Sequence, residues 1–289
     1  MPPKNNRTYD GAEEKFGVTM GDKNYIVKIP KHGDTGAYSE YVASEFIRCC
    51  GFDAHKVELI EYNNSLSVMM EDFTTPDLNR RPFSSVVQST LDTDPNPPEY
   101  TFSVVSKYPN ISTASVEKFW EMYFLDAILA NRDRHQGNWG YLTDNNTTIK
   151  MAPIYDNGAS LFPSVGKVID SYKGPEDFEF LAERSEEFPA SMLRVEVSPG
   201  VTRKSNYYRT IWNEEVPGIH EHRKKFIRKV HFSTVYKAIM QATSDPKLPK
   251  NLVSFYRCVV LMRYLHIILG KPLKQAHALV VALHKEELL

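Results

Sequence analysis

Three residues near the middle of the chain have the side chains that metal binding and proton transfer require. Asp133 and Asn138 lie five positions apart in one polar segment, and Asp156 follows two strand-like runs connected by Asp144-Asn145-Asn146. If these runs pair as a hairpin, its open end brings Asn138 and Asp156 side by side. Carboxylate and amide oxygens are suitable ligands for Mg²⁺, which is usually bound by a few protein ligands and by the phosphates of the substrate. Asp133 would then orient or deprotonate a substrate hydroxyl, so the pattern predicts phosphoryl transfer. A solvated charged loop beside an ordinary hairpin is the alternative.

A lysine and a glutamate in the first part of the chain form a second candidate pair. Lys28 lies in the β-rich run Tyr25–Pro30, and Glu40 shares one predicted helical face with Ala43 and Ile47. A glutamate on an apolar face needs a cationic partner, because an unpaired buried charge is costly. We therefore expect Lys28 and Glu40 to pair, as in the lysine–glutamate pair that holds nucleotide phosphates. A surface lysine on an edge strand is the alternative for Lys28 alone.

The elements that must position these residues divide the chain into two parts. Four short β-rich runs and one helix precede residue 74, and the rest of the chain is mainly helical. The predicted strands are Phe16–Met20, Tyr25–Ile29, Val57–Tyr62 and Leu66–Met70, with a helix at about 36–50. The predicted helices that follow are 84–90, 116–130, 175–187, 204–212, 219–241, 249–269 and 274–287. This order predicts an α+β fold with a small β-rich N-terminal lobe, residues 1–73, and a larger helical C-terminal lobe, residues 74–289.

Composition excludes several classes of protein. The 289 residues are 42% apolar and 25% charged with a formal net charge of −1, which argues against a generally basic nucleic-acid or membrane binder. Three cysteines without metal-binding spacing favour a reducing, cytoplasmic compartment, and secretion as an effector cannot be inferred from the sequence. The basic segment His220–His231 is interpreted as the solvated face of an amphipathic helix, with a nucleic-acid site as the alternative. If the segment has a function, we expect it to dock an acidic or RNA-associated protein substrate.

The segment Asp133-Arg134-His135-Gln136-Gly137-Asn138, followed by Ile154-Tyr155-Asp156, resembles the catalytic loop and metal-binding aspartate of HipA-like kinases. The similarity is greatest to the short CtkA-like members, and it covers residues 8 to 160 by motif. It implies a two-lobed protein-kinase-like fold and an enzyme that phosphorylates serine or threonine in proteins, as a toxin or effector. ATP and Mg²⁺ are the implied cofactors.

The resemblance also implies roles for individual residues. Asp133 is similar to the catalytic aspartate, His135 lies where it could face the transferring phosphate, and Lys28 is similar to the phosphate-binding lysine with Glu40 as its partner. Asn138 and Asp156 are the implied Mg²⁺ ligands. The implied nucleotide contacts further comprise Gly11 and Ala12 in the phosphate loop, Met70 at the adenine ring, and Glu71 and Phe73 in the hinge between the lobes.

The chain departs from the family pattern in two places. From the position of the motifs we expect it to lack the additional N-terminal subdomain of long HipA proteins. This expectation bears on the binding of a small antitoxin-type regulator, the second partner that the resemblance implies. The phosphate loop from Asp10 to Gly17 contains no Ser or Thr, although family members can autophosphorylate a serine there.

Two other functions remain open. A phosphoinositide-type kinase uses a similar Asp-Arg-His loop, but it usually has a basic cluster after the metal-binding aspartate. Residues 157–165 contain no Lys or Arg. The other is a pseudokinase that acts as a binding module, although Lys28, Asp133, Asn138 and Asp156 are all of the residue types that catalysis requires.

Overall fold

The structure is a computed structural model. Its first part is a four-stranded antiparallel sheet with one helix packed on it. The structure describes residues 3–7, 9, 13–89, 100–107, 113–144, 147–185 and 191–286. The strands are β1 Glu14–Met20, β2 Lys23–Ile29, β3 Val57–Tyr62 and β4 Ser65–Glu71, in the spatial order β1-β2-β4-β3. All four agree with the strands predicted from the sequence, within two residues at each end.

Two tight turns set the register of this sheet. Between β1 and β2, Met20 pairs with Lys23 across a two-residue turn whose first residue, Gly21, has a φ of 62°. Between β3 and β4 the turn residues Asn63 and Asn64 both have positive φ, which is the hairpin geometry that asparagine tolerates best after glycine. The register places Lys28 opposite Val68, so the lysine lies in the second strand of the order rather than at an edge.

Helix α1, Asp34–Cys49, has one apolar face toward the sheet and another toward the helical part. Ala37 packs with Val57, Val68 and Met70 of the sheet, whereas Phe46 belongs to the main core. Glu40 is fully buried on the same helix, as its position in the apolar stripe predicted.

A three-stranded antiparallel sheet carries the polar segment. Its strands are β5 Asn79–Pro82, β6 Gly140–Asp144 and β7 Thr147–Met151, in the order β5-β6-β7. The predicted β6–β7 hairpin is confirmed, with Tyr141 opposite Met151, whereas no sequence pattern indicated β5. Gly140 must be glycine, because a Cβ there would lie 2.2 Å from the carbonyl oxygen of Arg81 on β5.

The remainder of the chain is mainly helical around a large aromatic and aliphatic core. The helices are α2 Phe83–Ser89, α3 Phe102–Lys107, α4 Thr113–Leu129, α5 Phe178–Ser185, α6 Tyr207–Trp212, α7 Ile219–Lys229, α8 Phe232–Ala242, α9 Lys250–Arg263 and α10 Leu273–Lys285. Three smaller features complete the order of elements. They are two short 3-10 helices at Pro163–Lys167 and Ile169–Ser171, a hairpin of β8 Arg194–Ser198 with β9 Val201–Lys204, and a π-helical turn at Tyr264–Ile268. None of the helices in the described ranges is long and apolar enough to cross a membrane.

Two sequence predictions were wrong in detail. The single helix predicted over 219–241 is two helices, because Val230 and His231 leave the helical region of backbone space. The helix predicted from residue 204 begins only at Tyr207, since Lys204 pairs with Arg194 in the β8–β9 hairpin. In both places long-range packing prevails over local helical propensity.

Candidate active site

Lys28 is the centre of a buried ionic cluster. Its Nζ lies 2.8 Å from Glu40 Oε2, 2.9 Å from Asp156 Oδ1 and 2.7 Å from Glu13 Oε2, and the residue is only 3% exposed. Burial alone would lower the pKa of the Lys28 ammonium, but the three carboxylates outweigh it and hold the pKa well above its usual range. Lys28 is therefore a fixed positive charge at the junction of β2, α1 and the segment after β7.

The carboxylate of Asp156 stays ionised because of the same cluster. Burial alone would raise the pKa of Asp156, but the charges of Lys28 and Lys15 hold it below its usual range. Asp156 has a φ of 57°, a strained backbone conformation that turns the chain immediately before Asn157 and Gly158.

The turn after Asp156 brings the backbone against Glu40. The amide of Asn157 donates a hydrogen bond of 2.8 Å to Glu40 Oε1. A Cβ on Gly158 would lie 2.7 Å from Glu40 Oε2 and 3.2 Å from Lys28 Nζ, so only glycine fits there. Glu40 consequently holds both the lysine and the backbone that carries Asp156.

A buried arginine joins the two polar segments beneath the site. Arg134 donates to both carboxylate oxygens of Asp126, at 2.9 and 3.0 Å, and to the carbonyl oxygen of Asn138 at 2.8 Å. It also donates to the carbonyl oxygen of Tyr155 and, at 2.6 Å, to Asn157 Oδ1. Burial alone would lower the pKa of the Arg134 guanidinium, but the charge of Asp126 outweighs burial, so the pKa lies above its usual value. Arg134 thus connects the catalytic-loop candidates to the segment that carries Asp156.

Sequence reasoning missed the role of this arginine and its partner. Asp126 is 2% exposed and lies in the last two turns of helix α4, residues 122–129, which are otherwise apolar. That placement was the available signal, because a carboxylate in an apolar helix implies a buried cation elsewhere. Asn131 also donates to Asp126, at 3.0 Å, and it accepts from the amide of Asp133 at 3.0 Å.

Asp133, His135 and Asn138 line one cavity of about 650 Å³ together with Lys28 and Asp156. Asn138 Nδ2 donates to the carbonyl oxygen of Asp133 at 2.9 Å, which closes the loop between them. The ring of His135 accepts from the amide of Gly137 at 3.0 Å. The Asp133 side chain is exposed to solvent, and this is where a reacting hydroxyl could approach.

Asn138 and Asp156 offer the oxygen donors that a hard divalent cation prefers. Asn138 precedes β6 and Asp156 follows β7, so both lie at the open end of the β6–β7 hairpin, as the sequence predicted. Both residues line one cavity. Within the described ranges, no group of three or more His, Cys, Asp or Glu side chains could hold a metal ion alone. This donor set fits Mg²⁺, which typically takes one or two protein ligands and completes its shell with phosphates and water.

A second cavity of about 240 Å³ adjoins the ionic cluster at the end of β4. Its apolar and aromatic walls come from five residues: Ile26, His55, Met70, Phe73 and Tyr155. Its lining also includes the charged residues Lys28, Glu40 and Asp156. Such a pocket suits a flat aromatic ring whose attached phosphates extend toward Lys28.

Of the remaining predicted nucleotide contacts, Glu71 does not line this cavity. The Glu71 side chain pairs with Lys23 at 2.7 Å on the surface, so any nucleotide contact of Glu71 would involve its backbone. Gly11 and Ala12 lie outside the described residues.

Most of the basic segment His220–His231 is paired within the chain. Lys225 lies 2.5 Å from Glu117 and Lys229 lies 2.9 Å from Glu121, both on α4. Arg223 donates to the carbonyl oxygen of Ile268 at 2.7 Å. These contacts favour a helix face anchored to its neighbours over a nucleic-acid site.

Comparisons with known proteins agree on one group of relatives. The protein-family model of the HipA-like C-terminal domain matches residues 8–191. The serine/threonine-protein kinase CtkA of Helicobacter pylori strain J99 is 28% identical over 218 residues, which cover 69% of this chain and 65% of that protein. The match therefore spans slightly less than two thirds of the length of this curated relative.

Two solved structures have the same fold. The crystal structure of the proinflammatory kinase CtkA of Helicobacter pylori superposes with a TM-score of 0.77 at 23% identity, over 98% of this chain and 96% of that chain. The HipA of Shewanella oneidensis MR-1, solved with HipB and operator DNA, gives a TM-score of 0.58 at 14% identity, over 94% and 67% respectively. The expected two-lobed, kinase-like α+β fold is thereby confirmed.

Proposed function

The chain belongs to the HipA-like C-terminal domain family, and we propose that it is a serine/threonine protein kinase that transfers the γ-phosphoryl group of ATP to a protein hydroxyl. The observation that carries this proposal is the contact of Lys28 Nζ with both Glu40 and Asp156, 12 and 128 residues away in sequence. A cation fixed between these carboxylates, beside an aromatic pocket, suits the phosphates of a nucleotide. We also propose that residues 1–73 form the N-terminal lobe and residues 74–289 the C-terminal lobe of this kinase.

In the proposed reaction, the acceptor oxygen attacks the γ-phosphorus while the bond to the bridging oxygen breaks, so ADP leaves. Asp133 orients the hydroxyl and accepts its proton, and Lys28 binds the α- and β-phosphates while Glu40 holds it. Asn138 and Asp156 would hold Mg²⁺, which would neutralise part of the negative charge of the phosphates. His135 lies on the same cavity as Asp133, where it can donate to the transferring phosphoryl oxygens.

A protein with an accessible serine or threonine is the proposed partner. The Shewanella protein was solved with HipB, which makes a small antitoxin-type regulator a second partner to test for this chain. A lipid acceptor is less well supported, because the nine residues from Asn157 to Val165 include no cation to hold an anionic headgroup.

The test is transfer of label from γ-labelled ATP with Mg²⁺ to a generic protein and, in parallel, to a phosphoinositide. Asp133→Asn keeps the size of the side chain but removes the proton acceptor, so we expect transfer to fall at least about 100-fold. Asp22→Ala, in the exposed β1–β2 turn, is the matched control and should be fully active. Label on lipid alone would favour the lipid kinase. A wild-type protein that binds ATP without transferring label in either assay would favour the pseudokinase.

A further inference from the structure

His55 lines the cavity that Met70, Phe73 and Tyr155 also line, and no proposed catalytic role uses it. Its ring centroid is 4.6 Å from that of Phe73 and 6.2 Å from that of Tyr155, and it lines the cavity beside Met70. Its backbone amide donates to the carbonyl oxygen of Ile154 at 3.0 Å, which fixes its position relative to the segment that carries Asp156.

Neither ring nitrogen of His55 has a hydrogen-bond partner in the described part of the chain, although the residue is only 7% exposed. Burying an imidazole without a partner costs free energy, and most buried polar side chains in folded proteins are satisfied. Because the residue lines the cavity, a ligand bound there is the available partner for one of these nitrogens.

The His55 ring is neutral at physiological pH. Burial, together with the charge of Arg80, lowers the pKa of His55 to about 3, and the opposing charges of Asp72 and Asp156 do not offset this. A neutral imidazole presents one N–H donor and one acceptor nitrogen. The nitrogen that carries no proton can therefore accept a hydrogen bond from one N–H donor of a ligand.

We propose that His55 is the residue that recognises the nucleobase, through a hydrogen bond with the 6-amino group of adenine. The 6-amino group of adenine is an N–H donor, and a neutral imidazole nitrogen can accept from it. Phe73, Tyr155 and Met70 supply flat and polarisable walls beside His55, so His55 can provide a polar side-chain contact to a base that packs on them. This inference rests on the proposed function, since it assumes that the cavity accepts ATP.

Three ligands separate base recognition from phosphate binding. We would measure by calorimetry the binding of ATP, of purine riboside triphosphate, which lacks the 6-amino group, and of inorganic tripolyphosphate, which lacks the nucleoside. In the wild type, loss of the 6-amino group should weaken binding by about tenfold. In His55→Phe, ATP affinity should fall by about tenfold, ATP and purine riboside triphosphate should bind equally, and tripolyphosphate affinity should not change.

Two controls keep the result interpretable. His222→Phe alters another partly buried, ring-stacked histidine, which lies against Trp120 away from the cavity, and should leave all three affinities unchanged. His55→Gln restores a donor and an acceptor and should recover part of the preference for ATP, which also covers the case in which His55→Phe does not fold.

The proposal is overturned if His55→Phe retains the wild-type preference for ATP over purine riboside triphosphate, or if it loses tripolyphosphate binding to the same extent as ATP binding. A wild-type protein that binds tripolyphosphate and ATP equally would refute base recognition while leaving the phosphate site intact. Failure of the wild type to bind any of the three ligands would refute the proposed function itself.

Discussion

Replacing Arg134 by methionine tests whether one buried side chain holds the candidate site together. The substitution keeps a long, flexible side chain but removes every hydrogen bond that the guanidinium donates to Asp126, Asn138, Tyr155 and Asn157. It leaves the Asp126 carboxylate buried with Asn131 as its remaining hydrogen-bond partner.

The expected loss of stability is large because the residue is 3% exposed and its partner 2% exposed. Removing one member of a buried ion pair typically costs about 3–5 kcal/mol, most of it from the uncompensated charge that remains. For a chain of this size that corresponds to a fall in Tm of roughly 10 °C. Arg48→Met is the control, because Arg48 lies 3.4 Å from Glu45 at the surface and such a pair contributes at most about 1 kcal/mol.

A double variant separates stability from positioning. Combining Arg134→Met with Asp126→Leu removes both charges, and apolar replacement of a buried pair is often neutral or stabilising. We therefore expect the double variant to recover most of the free energy of unfolding. Phosphoryl transfer should stay about 100-fold below wild type, because the carbonyls of Asn138 and Tyr155 remain untethered and small misplacements are costly in catalysis.

Urea denaturation followed by circular dichroism, together with the labelled-ATP assay, measures both quantities on the same preparations. Wild-type stability in Arg134→Met would show that the buried pair does not hold the fold. Full activity in the stable double variant would show that the carbonyls of Asn138 and Tyr155 keep their positions without Arg134, and the positioning role of this arginine would then be refuted.

Three further predictions concern the surroundings of Lys28. Gly158→Ala places a Cβ 2.7 Å from Glu40 Oε2, so transfer should fall by about 100-fold in the labelled-ATP assay; wild-type activity would show that the cluster can shift without loss. Glu13→Gln removes one of the three carboxylates on Lys28 that compete with ATP phosphates, so ATP affinity measured by calorimetry should rise by roughly tenfold, and a fall would contradict this. The pKa of His55 is lowered to about 3 from 6.5, so the unfolded chain binds this proton more readily. The stability that His55 contributes is complete above pH 6.5 and declines toward pH 3 by about 1.4 kcal/mol per pH unit. Urea denaturation at pH 7 and pH 5 should therefore give a stability difference between wild type and His55→Phe that changes by roughly 2 kcal/mol.

The sequence predicted those parts of the site that local pattern encodes. Glu40 was identifiable because it interrupts an apolar helical stripe, and Lys28 because it lies in a short β-rich run. The β6–β7 hairpin followed from a turn signal between two strand-like runs, and it explains why Asn138 and Asp156 face one cavity. Each of these inferences needed only neighbouring residues and one period of side-chain alternation.

Contacts between distant segments could not be predicted in this way. Nothing near Glu13 marks it as a partner of Lys28, since the ion pair depends on the register of β1 against β2. His55 follows α1 in a segment without periodicity, and its place in the cavity depends on Phe73 and Tyr155, which come from two later parts of the chain.

The position of Glu40 shows why the site is a property of the whole fold. Helix α1 carries Glu40, yet its neighbour Ser39 lies 3.2 Å from the hydroxyl of Tyr256 on α9, and the Tyr38 hydroxyl donates to the carbonyl oxygen of Lys247 at 3.0 Å. Lys247 in turn donates to the carbonyl oxygen of Leu59 on β3. The helical part therefore holds α1 against the N-terminal sheet from the opposite side. The pairing of Glu40 with Lys28 therefore depends on contacts of α1 with the helical part as well as with the sheet.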